Sequence, residues 1–149
     1  EADLAATSHL AMCYKATGQL EKALDAARRT LARAERVLSE NSSDSYALIS
    51  GVGAFAKLGE TEHAKQWALR VKAVDPDDPS IDYNIACALA LLGETETALD
   101  MLEACLPRLD PVTFSVWIKQ DTDLDPLRDL PRFQRLVRDL DARAADARA

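Results

Sequence analysis

The pair Leu58-Gly59 returns as Leu92-Gly93 34 residues later, and an alanine follows each glycine at a distance of five, as Ala64 and Ala98. Thr17-Gly18 with Ala23 is a third copy, which keeps the glycine and the alanine but not the leucine. No stretch of the chain alternates apolar and polar residues as a half-buried strand does. A fixed period of this length arises when a helix–turn–helix unit is stacked on copies of itself, because one unit alone cannot bury its apolar face. The spacing therefore predicts an all-α fold made of antiparallel helix pairs, in a chain that presents surfaces rather than a catalytic cleft.

Each recurring position has a physical reason. Gly18, Gly59 and Gly93 end the first helix of a pair, where a left-handed backbone costs glycine little. Ala11, Ala23, Ala64, Ala86 and Ala98 are small enough for the helices of a hairpin to approach closely, while Ile85 with Leu89 and Leu99 with Leu102 fill the space between pairs. Asp78-Pro79 offers a capping side chain followed by a first-turn proline. The spacing from Gly18 to Gly59 is 41 residues, seven beyond the period, and the excess falls between Thr30 and Asp44. Leu24, Leu31, Ala34 and Val37-Leu38 continue a helical stripe through it, so the second helix is expected to run about two turns longer. Such an excess is either a tolerated insertion or an arm that reaches another domain. Asn41-Ser42-Ser43-Asp44 then breaks the helix and caps the next.

This order of residues resembles the tetratricopeptide repeat family over most of residues 4–110. Leu10-Ala11, Tyr14, Ala23 and Ala27 stand at its positions in the first copy; Leu48, Phe55, Ala64, Ala68 and Pro76 in the second; Ile85-Ala86, Leu89, Ala98, Leu102 and Cys105 in the third. The chain departs from the pattern in having no opening tryptophan and in the reversed pair Gly51-Val52. The resemblance implies a right-handed superhelical array in a single domain, with repeats at about 4–44, 45–78 and 79–110 and a capping segment over 111–149. It also implies that the first helix of each repeat lines a concave face, here carrying Ser8, Met12, Lys15, Ile49, Gly53, Ala56, Tyr83, Cys87 and Ala90. Those side chains are small, mostly apolar and nearly free of fixed charge. They lack the lysine, arginine and asparagine set with which chaperone-tail binders of the family clamp a terminal carboxylate, so an apolar helix or extended segment is the expected occupant.

After Pro111 the period fades. Val112–Lys119 is read as a short helix with Phe114, Val116 and Trp117, and a last helix runs to about Arg143. Phe133, Leu136, Val137 and Leu140 give that helix one apolar face, suited to covering the open end of the third repeat. Asp125-Pro126 and Leu130-Pro131 both read as helix starts. Tyr83-Asn84-Ile85-Ala86-Cys87, Leu124-Asp125-Pro126-Leu127-Arg128 and Pro131-Arg132-Phe133 resemble the C-terminal repeat region of bacterial class III adenylate/guanylate cyclases and related regulators, over roughly residues 45–137. No cyclase catalytic domain lies in these residues. The resemblance implies a regulatory or scaffolding module that holds a protein or peptide segment, or another domain of the same chain. The alternative is a module that dimerises its parent. The chain begins at Glu1, without methionine, and is read as a piece of a longer protein.

Composition narrows the remaining classes. A net charge of −7 and a pI near 4.8 argue against nucleic acid as a partner. Asp82, Glu94, Glu96, Asp100, Glu103 and Asp110, offset only by Arg108, read as a solvated acidic surface, with a surface for a basic partner as the alternative. No apolar run reaches membrane-spanning length and no signal peptide is visible. Cys13, Cys87 and Cys105 fall in helical patterns among apolar neighbours and read as buried thiols in a reducing, cytoplasmic setting. Asp121, Asp123 and Asp125 have the opening spacing of a calcium loop, but Pro126 and Arg132 occupy the positions that need glycine and glutamate, so a capping turn is expected. Glu60 with His63 is half of a carboxylate-bridged metal motif without its second copy. No phosphate loop or ordered catalytic set is visible, and no cofactor is expected. Trp67 and Trp117 are read as half-buried between helices, with exposed partner anchors as the alternative.

Overall fold

A computed structural model describes residues 2–148, and among them eight α-helices and two short 3-10 segments follow one another without a strand. They are α1 (Ala2–Ala16), α2 (Leu20–Glu40), α3 (Ser45–Lys57), α4 (Thr61–Val74), α5 (Pro79–Leu91), α6 (Thr95–Cys105), α7 (Pro111–Gln120) and α8 (Pro131–Asp146). Leu106–Arg108 and Thr122–Leu127 form the 3-10 segments. The fold is an all-α array of antiparallel helix pairs: α1 packs on α2, α3 on α4, α5 on α6 and α7 on α8. The turns inside the first three pairs are those marked by glycine, with φ of +72°, +76° and +79° at Gly18, Gly59 and Gly93. Asp44, Asp78 and Asp110 cap α3, α5 and α7, their carboxylates accepting from the amides of Ala47, Ser80 and Thr113 at 2.8, 2.7 and 2.8 Å.

The extra seven residues lie in α2, which has 21 residues against 14 in α4. Ala23, Ala26, Ala27, Thr30 and Ala34 give it a buried stripe of small side chains. In the added turns Val37 and Leu38 pack on the cluster of Leu4, Ala34 and Ala47, so the apolar side of the extension belongs to the core. The reversed Gly51-Val52 pair has a packing reason. The Trp67 indole of α4 lies directly on Gly51 of α3, edge-on to Phe55 at 5.1 Å, and leaves no room there for a Cβ.

Three expectations change. Pro126 does not begin a helix: it lies inside the segment Thr122–Leu127, whose cap is Asp121, accepting from the Asp123 amide at 3.0 Å. Pro131 does begin α8. Cys13 is exposed, because α1 turns Leu4, Thr7 and Ala11 inward and Cys13 falls on the opposite side; Cys87 and Cys105 are buried. The acidic residues around α6 are ion-paired rather than simply solvated. Arg132 of α8 reaches Glu96, Asp100 and Glu103 at 3.0, 2.6 and 2.7 Å, Lys65 pairs with Glu94 and Lys72 with Asp82. The Arg132 bonds hold the Glu103 carboxyl below its ordinary range. Those ties seat α8, whose Phe133 and Leu140 enter a core shared with Leu99, Leu102 and Ile118.

Candidate functional site

The first helices α1, α3 and α5 lie side by side, α3 touching both of the others. Small residues on their facing surfaces leave a cavity of about 370 Å³. Of the concave-face residues, Ser8, Met12, Ile49, Gly53 and Cys87 line it. Ala54, Ile81 and Ala88 complete its apolar surface, and His9, Tyr46 and Trp117 add three rings. Trp117 is 38% exposed and meets His9 edge-on at 6.0 Å.

The other four fall elsewhere. Lys15 and Ala56 border a smaller neighbouring hollow with Leu20, Leu24 and Leu91. Tyr83 and Ala90 are each 1% exposed and do not reach the groove. The cause is the ending of the chain, which returns to the concave side and covers that end of α5. Phe114 packs edge-on against the Tyr83 ring at 5.1 Å, and the Tyr83 hydroxyl donates to Asp121 Oδ2 at 3.1 Å. Leu124 and Leu127 are buried in the same core as Ala90.

The returning segment also corrects the expectation of a groove nearly free of charge, since Lys57, Asp78, Asp121 and Asp123 line it. Lys57 of α3 pairs with Asp123 Oδ2. Lys15 of α1 donates to the Thr122 carbonyl at 2.6 Å and stands 3.9 Å from Asp123 Oδ1. Two concave-side lysines are thus engaged by an acidic turn of the same chain. Burial raises the Asp121 carboxyl, with neighbouring Asp123 adding to the effect. Burial likewise pushes the Tyr83 phenol and the Cys87 thiol upward, with Asp121 contributing, so both are neutral donors to Asp121; the thiol lies at 3.5 Å.

The remaining candidates have local roles. His63 Nδ1 is 2.8 Å from Glu60 Oε2 at the start of α4, and its ring stacks on Phe55 at 5.1 Å. Asp125 pairs with Arg128 at 2.7 Å. Among the described residues, no group of three or more His, Cys, Asp or Glu side chains converges as a metal site would need, and no helix is long and apolar enough to cross a membrane. Sequence reasoning missed Lys57, Asp121 and Asp123 as groove residues. The available signal was the pair Leu124 and Leu127 within an acidic stretch, which requires burial against a distant surface.

Comparison with known proteins finds a family match within the chain and similar solved structures. Residues 4–44, the α1–α2 pair and the cap that follows it, match the tetratricopeptide repeat family. No curated protein matches the chain. A solved structure titled "MamA MSR-1 C2" is similar at 16% identity and a TM-score of 0.44, over 95% of this chain and 79% of that one.

Proposed function

We propose that the chain is a non-enzymatic protein-interaction module whose groove along α1, α3 and α5 holds a helical or extended segment of a partner. One observation carries the reading: a cavity of about 370 Å³ between the first helices, bordered by half-buried Met12 and Ile49 and rimmed by aromatic rings. Such a surface offers apolar contact with a few polar fixing points, as peptide grooves do. Terminal carboxylates fit it poorly, because Lys15 and Lys57 are engaged by the acidic turn. The resemblance of residues 45–137 to cyclase-associated repeats suggests a regulatory or scaffolding role beside a bacterial, cytoplasmic signalling domain. The direct test is titration of partner-derived segments against the wild-type chain and the variants Met12→Glu and Ile49→Glu. Saturable binding that both substitutions abolish is expected; binding indifferent to both removes the groove.

A second reading, dimerisation of a parent protein, has one observation in its favour. Leu69 on the outer surface of α4 is 74% exposed, with Val74 also exposed near the end of that helix. Light scattering over a concentration series tests it, and a chain that stays monomeric throughout excludes it.

A further inference from the structure

The cations around the acidic turn, at one end of the groove, leave two carboxylate groups incompletely paired, since Arg128 gives its guanidinium to the Asp121 carbonyl and to Asp125 rather than to the Asp121 carboxylate. Asp123 gives Oδ2 to Lys57, but its Oδ1 is buried and accepts no hydrogen bond, with Lys15 Nζ 3.9 Å away and beyond hydrogen-bond reach. Asp121 is only 5% exposed and accepts from neutral donors: the Tyr83 hydroxyl, the Cys87 thiol and the Asp123 amide. It takes part in none of the ion pairs among the described residues. A buried carboxylate without a cation is costly. Leu124 and Leu127 close the turn on its core side, so the side open to a new charge is the cavity that both carboxylates line.

A second feature points to the same end. Trp117 precedes Asp121 by one turn at the end of α7, and both line the same cavity. An aromatic face beside an unpaired carboxylate suits a cationic side chain, which can rest on the ring while it reaches the oxygens. The groove beyond is apolar, through Met12, Ile49 and Ile81. A chain carrying −7 overall attracts such a group from a distance.

From this arrangement we infer that the groove recognises a lysine or arginine side chain carried on an apolar segment of a partner protein, with the cation seated between Trp117, Asp121 and Asp123. The inference rests on the groove being a peptide-binding surface, as proposed above, and adds the chemistry of its occupant.

The test is calorimetric titration of the full chain with three acetylated, amidated leucine–alanine peptides, alike except for one central residue: arginine, its neutral isostere citrulline, or glutamate. The arginine peptide is expected to bind saturably, and the other two to bind at least about tenfold more weakly, the scale of a hydrogen bond to a charged group. Asp121→Asn keeps an acceptor for Tyr83 and should cost the arginine peptide the same factor while leaving the citrulline peptide unchanged. Trp117→Ala, at an exposed position, gives an independent loss that does not depend on the acidic turn staying folded. Equal binding of the arginine and citrulline peptides, still sensitive to Ile49→Glu, overturns the basic-side-chain inference and leaves the peptide groove standing. Failure of all three peptides overturns both. Displacement of the arginine peptide by spermidine at matched concentration replaces the protein segment with a free polyamine. A dimer broken by Ile49→Glu and Trp117→Ala replaces the partner with a second copy. Either of these also overturns the inference.

Discussion

Gly51→Ala and Gly53→Ala should move stability in opposite directions although they lie two residues apart in one helix. An alanine in place of a mid-helix glycine ordinarily gains about 0.5–1 kcal/mol. At Gly53 an added Cβ meets nothing nearer than Lys57 Nζ at 3.9 Å, so that gain should appear almost undiminished. At Gly51 the same methyl would stand 2.2 Å from Cζ3 of Trp67. Carbon contacts settle at about 3.5–4.0 Å, so the indole must retreat by roughly 1.3 Å or more. The ring is edge-on to Phe55 and covered by the Arg70 guanidinium at 5.3 Å, so it cannot retreat without losing contacts. Overpacking of this kind costs about 1–3 kcal/mol, which cancels the helix gain and leaves a net loss of up to about 2.5 kcal/mol. For a chain of this size each kcal/mol moves the melting temperature by about 2–4 °C. Calorimetry should therefore show Gly51→Ala melting up to about 10 °C lower and Gly53→Ala up to about 4 °C higher. Near-ultraviolet circular dichroism should change for Gly51→Ala alone. In a Trp67→Leu background the penalty at Gly51 should vanish. If Gly51→Ala stabilises as much as Gly53→Ala with Trp67 intact, the close α3–α4 packing is wrong.

Three further outcomes follow from the acidic turn. Lys57→Met leaves Asp123 buried without its ammonium and should cost about 3–5 kcal/mol in urea unfolding, part of it regained by adding Asp123→Asn; a silent Lys57→Met means the pair does not form in solution. Tyr83→Phe removes a buried donor to Asp121 and should cost about 1–3 kcal/mol by the same assay, and an unchanged midpoint would contradict the hydrogen bond. The Asp121 carboxyl is a weaker acid folded than its ordinary value of 3.8, so above about pH 4 the unfolded chain releases a proton that the folded chain still holds. Its contribution to stability is therefore greatest below that pH and is lost as pH rises through the folded value. Urea midpoints of the wild type should lose ground to Asp121→Asn over that window; a constant difference between the two would refute it.

The features legible in the sequence were those set by near neighbours. Gly18, Gly59 and Gly93 adopt the left-handed turn whatever surrounds them, and the alanines five residues on follow from the hairpin that the turn creates. The long α2 was legible as well, because an excess over a fixed period has to be placed somewhere. Residues facing the groove were legible only by helix register, which tells which side of α5 Tyr83 occupies but not what lies on top of it. Asp121 and Asp123 act on α5 and α3 across 38 and 66 residues of sequence, and nothing local to them names those partners. Gly51 is the converse case: the reversed pair departs from the repeat pattern and marks the place where Trp67 needs room.

The bond from Lys15 to the Thr122 carbonyl joins points 107 residues apart, and so ties the first helix pair to the last. A stack of repeats whose contacts are all between neighbours can assemble from any point and fray from either end. Here a large loop must close before the final turn can dock, which adds an entropic step late in refolding. Once closed, the same contact makes the two ends of the array protect each other. Amide exchange in α1 should therefore slow only when the C-terminal turn is in place, and α1 and the turn should open together as one cooperative unit.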